Sequence, residues 1–94
     1  MVKKELISRI VPYLERRGVK KISVFGAYAR GEENPDSDMD ILVEFSGRKS
    51  LLDLVKIERE LSEFLGINVE LLTEKAISPY LIDRIKKEAQ LISV

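Results

Sequence analysis

Residues 24–45, VFGAYARGEENPDSDMDILVEF, decide how this chain is read. Ile22 and Val24 form an apolar strand that runs into a turn at Gly26. A short arginine-bearing segment follows, closed by Gly31, and then a polar loop with strong turn chemistry at Asn34-Pro35-Asp36-Ser37. Asp38 and Asp40 stand at the head of a second apolar strand running to Phe45. Successive strand side chains alternate faces, so these aspartates share one face and Met39 takes the other. Two such charges repel by about 4 kcal/mol at ~4 Å and an effective dielectric of ~20. A cation between them relieves that repulsion. Hard carboxylate oxygens suit Mg²⁺, which also takes phosphate oxygens of a substrate. A strand entering a glycine turn and then a helical turn aims backbone N–H groups at one spot, which favours phosphate. A phosphate cradle beside a carboxylate metal site is what nucleotidyl transfer requires.

Working outward, the chain has 94 residues, and a single domain spanning 1–94 is expected. Hydrophobic residues make up 45%, which excludes disorder. The formal net charge is +0, from 16 basic and 16 acidic residues, so nothing marks an electrostatic nucleic-acid binder. There is no Cys, hence no disulfide, zinc-thiolate site or thiol nucleophile. There is no His either, so acid–base and metal chemistry falls to carboxylates, Lys or Tyr. The opening MVKKELISRI is neither a signal peptide nor a membrane span, and a cytoplasmic protein is expected.

From Val2 to Arg17, apolar residues at Leu6, Ile7, Ile10, Val11 and Leu14 have helical spacing, with Gly18 as a stop. Pro12 should bend this helix or divide it near Val11. Val19–Phe25 is a strand with Ile22 and Val24 on one face. Ser50 and Asp53 resemble a capping box that opens a helix to about Leu65, with a buried stripe of Leu51, Leu54, Val55, Leu61 and Leu65. Ile67–Leu72 is a third strand. A last helix begins at Pro79, with Leu81, Ile82 and Ile85 inward, and Leu91–Val94 is a short edge strand. The expected architecture is α/β (α+β): a small sheet of three or four strands with helices packed on it. The first and second strands must be neighbours if the glycine turn is to meet the aspartates.

Gly26-Ala27-Tyr28-Ala29-Arg30-Gly31 followed by Ser37-Asp38-Met39-Asp40 resembles the signature of the DNA polymerase beta-like nucleotidyltransferases, in particular the minimal nucleotidyltransferase (MNT) domain. The resemblance covers essentially the whole chain, including LGINVELLTEKAISPYLIDRIKKEAQLI. It implies that Asp38 and Asp40 hold Mg²⁺ and that Glu70, where the family usually has Asp, supplies the third carboxylate. It implies nucleotide contacts at Gly26, Ala27, Arg30 and Ser37. It further implies ATP or another nucleoside triphosphate as substrate and a HEPN-type toxin as partner, with AMP passed to a hydroxyl of that protein. Two departures stand out. Glu70 is one methylene longer than Asp, and a misplacement of about 1 Å can cost roughly 10²-fold in rate. Ala27 replaces a serine whose hydroxyl hydrogen-bonds phosphate, a bond of about 1.5–3 kcal/mol.

Each motif has a plainer reading. Gly26 alone is a turn residue, and Asp38 and Asp40 alone are solvent-facing strand residues; the combined spacing carries the argument. Arg30 has two readings, a phosphate contact or an ion pair with Glu32, Glu33 or Asp36. Tyr28 is expected to pack on the loop. A calcium loop is rejected because Ile41 and Gly47 stand where Gly and Glu are required. No Walker-type Gly-Lys-Ser/Thr run is present. The rival to catalysis is a relic of the fold that neutralises a toxin by contact alone. A homo-oligomer is a third expectation and requires an exposed apolar patch.

Overall fold

The computed structural model, which describes residues 2–93, is built on one sheet with helices packed on it. The elements run α1 (Lys4–Glu15), β1 (Val19–Phe25), α2 (Ala27–Arg30), β2 (Met39–Phe45), α3 (Leu51–Leu65), β3 (Val69–Leu72), a 3₁₀ turn (Glu74–Ala76), α4 (Pro79–Glu88) and β4 (Gln90–Ser93). The strands form a four-stranded sheet in the order β3-β2-β1-β4. β1 pairs antiparallel with both β2 and β4, and β2 pairs parallel with β3. The glycine turn and the aspartates are therefore on adjacent strands, as the sequence requires.

Alternation along the strands sets the faces. Ile22, Val24, Met39, Ile41, Val43, Val69 and Leu71 enter one buried cluster with Ile10 and Leu14 of α1 and Ile57, Leu61 and Leu65 of α3. Opposite them, Lys21, Ser23 and Phe25 lie beside Glu44, Leu42 and Asp40 in the β1–β2 register. Phe25 and Leu42 are buried but stand outside that cluster. The core is thus one-sided, and the second face is left for function.

Three expectations need correction, and one pair of alternatives is decided: α1 is a single helix with Pro12 inside it rather than two. Proline lacks the N–H that would bond the carbonyl of Ser8; both residues are exposed, so water can serve that carbonyl. The stripe of α3 holds at Leu61 and Leu65, which are buried with Ile57, and at Leu54, which packs against the core, but Leu51 is 75% and Val55 51% exposed. Helical spacing alone does not bury a residue at the start of the helix. α4 has no buried residue, and Leu81 is 47% exposed. Asp38 lies just before β2 rather than in it.

The last strand forms as Gln90–Ser93; Val94, included in it by sequence, lies outside the described residues, as does Met1. The capping box is present, with Asp53 N–H donating to Ser50 Oγ and Ser50 N–H to Asp53 Oδ2, each at 3.1 Å. α3 also pins the edge strand β3. Ser62 Oγ accepts from Val69 N–H at 2.9 Å and Glu58 Oε2 from Leu71 N–H at 2.8 Å. Those outward amides would otherwise be open edge donors. Among the described residues, no helix is long and apolar enough to cross a membrane.

Candidate active site

Register assembles the acidic corner. Asp40 stands opposite Phe25 on β1 and opposite Glu70 on β3. Directly opposed residues share a face, so Glu70 and Asp40 lie side by side on the face away from the core. Glu70 comes from a strand whose outer edge is tied to α3, so its position is held from both sides.

The Asp40 and Glu70 carboxyls stand at paired positions of β2 and β3, and that closeness favours the protonated form of Asp40. Burial is the largest cause that pushes the Asp40 carboxyl up to about 6; the Glu70 hydrogen bond follows, then the charges of Glu70, Asp38 and Glu88. The site holds more negative charge than it can comfortably ionise.

Gly26 makes the corner possible. Its φ is +74°, a left-handed conformation that glycine adopts without strain. A Cβ built there would lie 2.3 Å from Asp40 Oδ2. The bare backbone is what lets the carboxylate sit against the turn. The next residues open α2, and the first N–H groups of any helix have no acceptor within it.

The other expected residues divide. Asp38 is exposed, and its Oδ1 accepts from Asn68 Nδ2 at 2.8 Å. The Asn68 carbonyl accepts from Met39 N–H at 2.8 Å, so Asn68 clasps the entry to β2. Asp38 is near enough to raise Asp40, yet the three acids do not converge. Among the described residues, no three acidic side chains are gathered as metal ligands. Arg30 takes the ion-pair reading: it pairs with Glu32 at 3.2 Å and with Glu88 at the end of α4. Ser37 turns into its own loop, its Oγ accepting from Asn34 N–H at 3.0 Å. Ala27 begins α2. Tyr28 belongs to the buried core rather than the loop surface; burial, and then the charge of Glu33, raise its hydroxyl pKa.

The donor set nevertheless suits a hard divalent cation. Asp40 and Glu70 are register partners whose two charges a cation would balance, and Asp38 stands two residues before Asp40. Sequence reasoning missed two members, Asn68 and Glu88. Asn68 carried one faint signal, its place two residues before Glu70 at the start of the third strand. Glu88 carried none, being 58 residues from its partner Arg30.

With this geometry in view, the comparison with known proteins is direct. The family model described as nucleotidyltransferase domain matches residues 7–92. The chain belongs to that family. This nucleotidyltransferase domain is 53% identical over 85 residues to candidate protein adenylyltransferase MJ0435 of Methanocaldococcus jannaschii, covering 90% of this chain and 91% of that one. It is 40% identical over 74 residues to protein adenylyltransferase MntA of Thermococcus cleftensis, covering 79% and 75%.

A solved structure of a candidate minimal nucleotidyltransferase superposes with TM-score 0.80 at 34% identity, covering 96% of this nucleotidyltransferase and 95% of that chain. The same fold, at 18% identity and TM-score 0.76, occurs in the complex of a tri-AMPylated Shewanella oneidensis HEPN toxin with an MNT antitoxin, over 95% and 70% of the two chains.

Proposed function

We propose that this chain transfers AMP from ATP to a hydroxyl of a partner protein and releases pyrophosphate. The observation that carries it is the pairing of Asp40 with Glu70, in register on adjacent strands and seated against the Gly26 turn. The names of the two archaeal relatives point to adenylyl transfer onto protein. The HEPN–MNT complex, a likeness in fold, points to a HEPN-type toxin as acceptor.

In this reading the acceptor oxygen bonds to the α-phosphorus of ATP and the bond to the β-phosphate oxygen breaks. Asp38, Asp40 and Glu70 would hold Mg²⁺, which when bound neutralises charge on the phosphates and aligns the two oxygens. Glu70 orients the acceptor hydroxyl and takes its proton. Backbone amides at Gly26–Ala27 cradle the phosphates. Arg30 leaves Glu88 for phosphate when nucleotide arrives. Ser37 serves indirectly by holding the loop that delivers Asp38. ATP supply places the reaction in the cytoplasm, which fractionation of cells would check.

The test uses labelled ATP, Mg²⁺ and a HEPN-type protein encoded beside this one. Label should pass to that protein with the wild type and not with Asp40→Asn. Equal labelling by both would remove this site from the chemistry.

A second reading, neutralisation by contact alone, is favoured by Ala27 and by the tie between Asp38 and Asn68. It expects Asp38→Asn and Asp40→Asn to protect against the toxin as well as wild type. Loss of protection in both would exclude it.

A further inference from the structure

A cavity of about 1040 Å³ lies beside the acidic corner rather than in it. It is a groove on the face of the sheet away from the core. Ser23, Leu42 and Leu91 form its floor. The loop from Gly47 to Ser50 forms one wall, and the 3₁₀ turn with α4 forms the other. Leu42 follows Asp40 by two residues on the same face of β2, about 7 Å along the strand. The groove's lining thus reaches to within two residues of Asp40, which does not itself line it.

Its chemistry is unlike that of the chain as a whole. The formal net charge of the protein is +0, yet Lys21, Arg48, Lys49, Lys75 and Lys86 all line this groove. Its two acids are engaged: Glu44 pairs with Lys20 at 3.3 Å and Glu74 with Lys86 at 2.9 Å. Among the described residues, Lys21, Arg48, Lys49 and Lys75 make no ion pair; Lys49 acts on Asp53 through space without pairing. Leu51 and Leu91, both lining the groove, are 75% and 50% exposed. Large apolar side chains left open beside unpaired cations call for an occupant that is both acidic and apolar.

We propose that this groove seats the acceptor: a polypeptide segment carrying Asp or Glu among apolar residues, with its hydroxyl side chain delivered to Asp40 and Glu70. The assignment rests on the transfer reading above for its end point and on the groove itself for the segment's chemistry. A protein occupant is favoured over nucleic acid because the floor offers leucines. The one ring, Phe45, is partly packed into the core and gives no platform for stacked bases.

The experiment measures fluorescence anisotropy with a labelled peptide of Glu, Leu and Tyr and with its Lys-for-Glu counterpart. The acidic peptide should bind wild type, and added salt should weaken it. The triple variant K21E/R48E/K49E should weaken it by about tenfold or more. ATP binding and thermal melting of that variant, expected unchanged, show that it is folded. Asp40→Asn should keep peptide binding. Equal binding of the basic peptide, no binding of the acidic one, or binding indifferent to the triple variant would each overturn the groove assignment. So would a single-stranded RNA that binds wild type more tightly than the acidic peptide and is lost in the triple variant, or a dimer in sedimentation that excludes the peptide. Peptide binding with no AMP transfer from Mg²⁺–ATP would sink the transfer reading and leave the groove standing.

Discussion

Asp40 is an acid whose folded environment favours its protonated form, its pKa raised from the ordinary 3.8 to about 6, first by burial. The sign of its effect on stability follows. Between about pH 4 and 6 the native state binds more protons at this group than the unfolded chain, so stability falls as pH rises through that window. Metal-free wild type should lose melting temperature across it relative to Asp40→Asn, and parallel curves from pH 4 to 7 would contradict the assignment. The same substitution should reduce AMP transfer by about 100-fold or more, read by label incorporation. Gly26→Ala places a Cβ 2.3 Å from Asp40 Oδ2 at a φ of +74°. It should destabilise by about 1–3 kcal/mol in denaturant melts and displace the carboxylate. Ala27→Ser restores a hydroxyl at the mouth of α2 and should tighten ATP by about tenfold in calorimetric titration.

Helices and strands contribute unequally. α3 works twice: its inner residues fill the core, and its Ser62 and Glu58 side chains hold the β3 amides that bring Glu70 opposite Asp40. Of its first turn, only Leu54 packs against the core. Leu61, fully buried, should cost about 2–5 kcal/mol when truncated to Ala, and Leu51, 75% exposed, within about 0.5 kcal/mol of nothing. Urea unfolding of the two variants measures the difference. The end of α4 brings Glu88 within reach of Arg30 and of the charge on Asp40. This helix shapes the site without burying a side chain. Phe64 and Tyr13 stack at 4.8 Å between α3 and α1, with Arg9 and Arg17 over their rings. That contact closes the two helices over the core from outside.

At the scale of the molecule, one layer of side chains forms the core and the opposite layer holds the candidate site. We propose that residues 1–94 unfold as one cooperative unit. A ligand bound only by the native state raises stability by mass action, about 2.7 kcal/mol at a hundred times its dissociation constant. Mg²⁺ with ATP should raise the melting temperature of wild type, chelation should reverse it, and Asp40→Asn should show little of either. A rise with ATP that is indifferent to chelation would place the nucleotide away from Asp40. The face away from the core is bipolar, acidic at the corner and basic along the groove.

Local rules were enough to read the strands, the capping box, the glycine turn and the facing of Asp40, because each depends on residues within a few positions of one another. Resemblance picked out Glu70, and the residues between supplied no reason for it to meet Asp40. That meeting was decided by the parallel pairing of β2 with β3, which depends on α3 closing the crossover. The pairing of Arg30 with Glu88, the clasp of Asn68 on Asp38 and the exposure of Leu51 were likewise tertiary outcomes. Periodicity says which residues share a helix face, not how far the neighbouring sheet extends to cover it. An ion pair between residues 30 and 88 exists only once α4 has carried the chain from one edge of the sheet to the other.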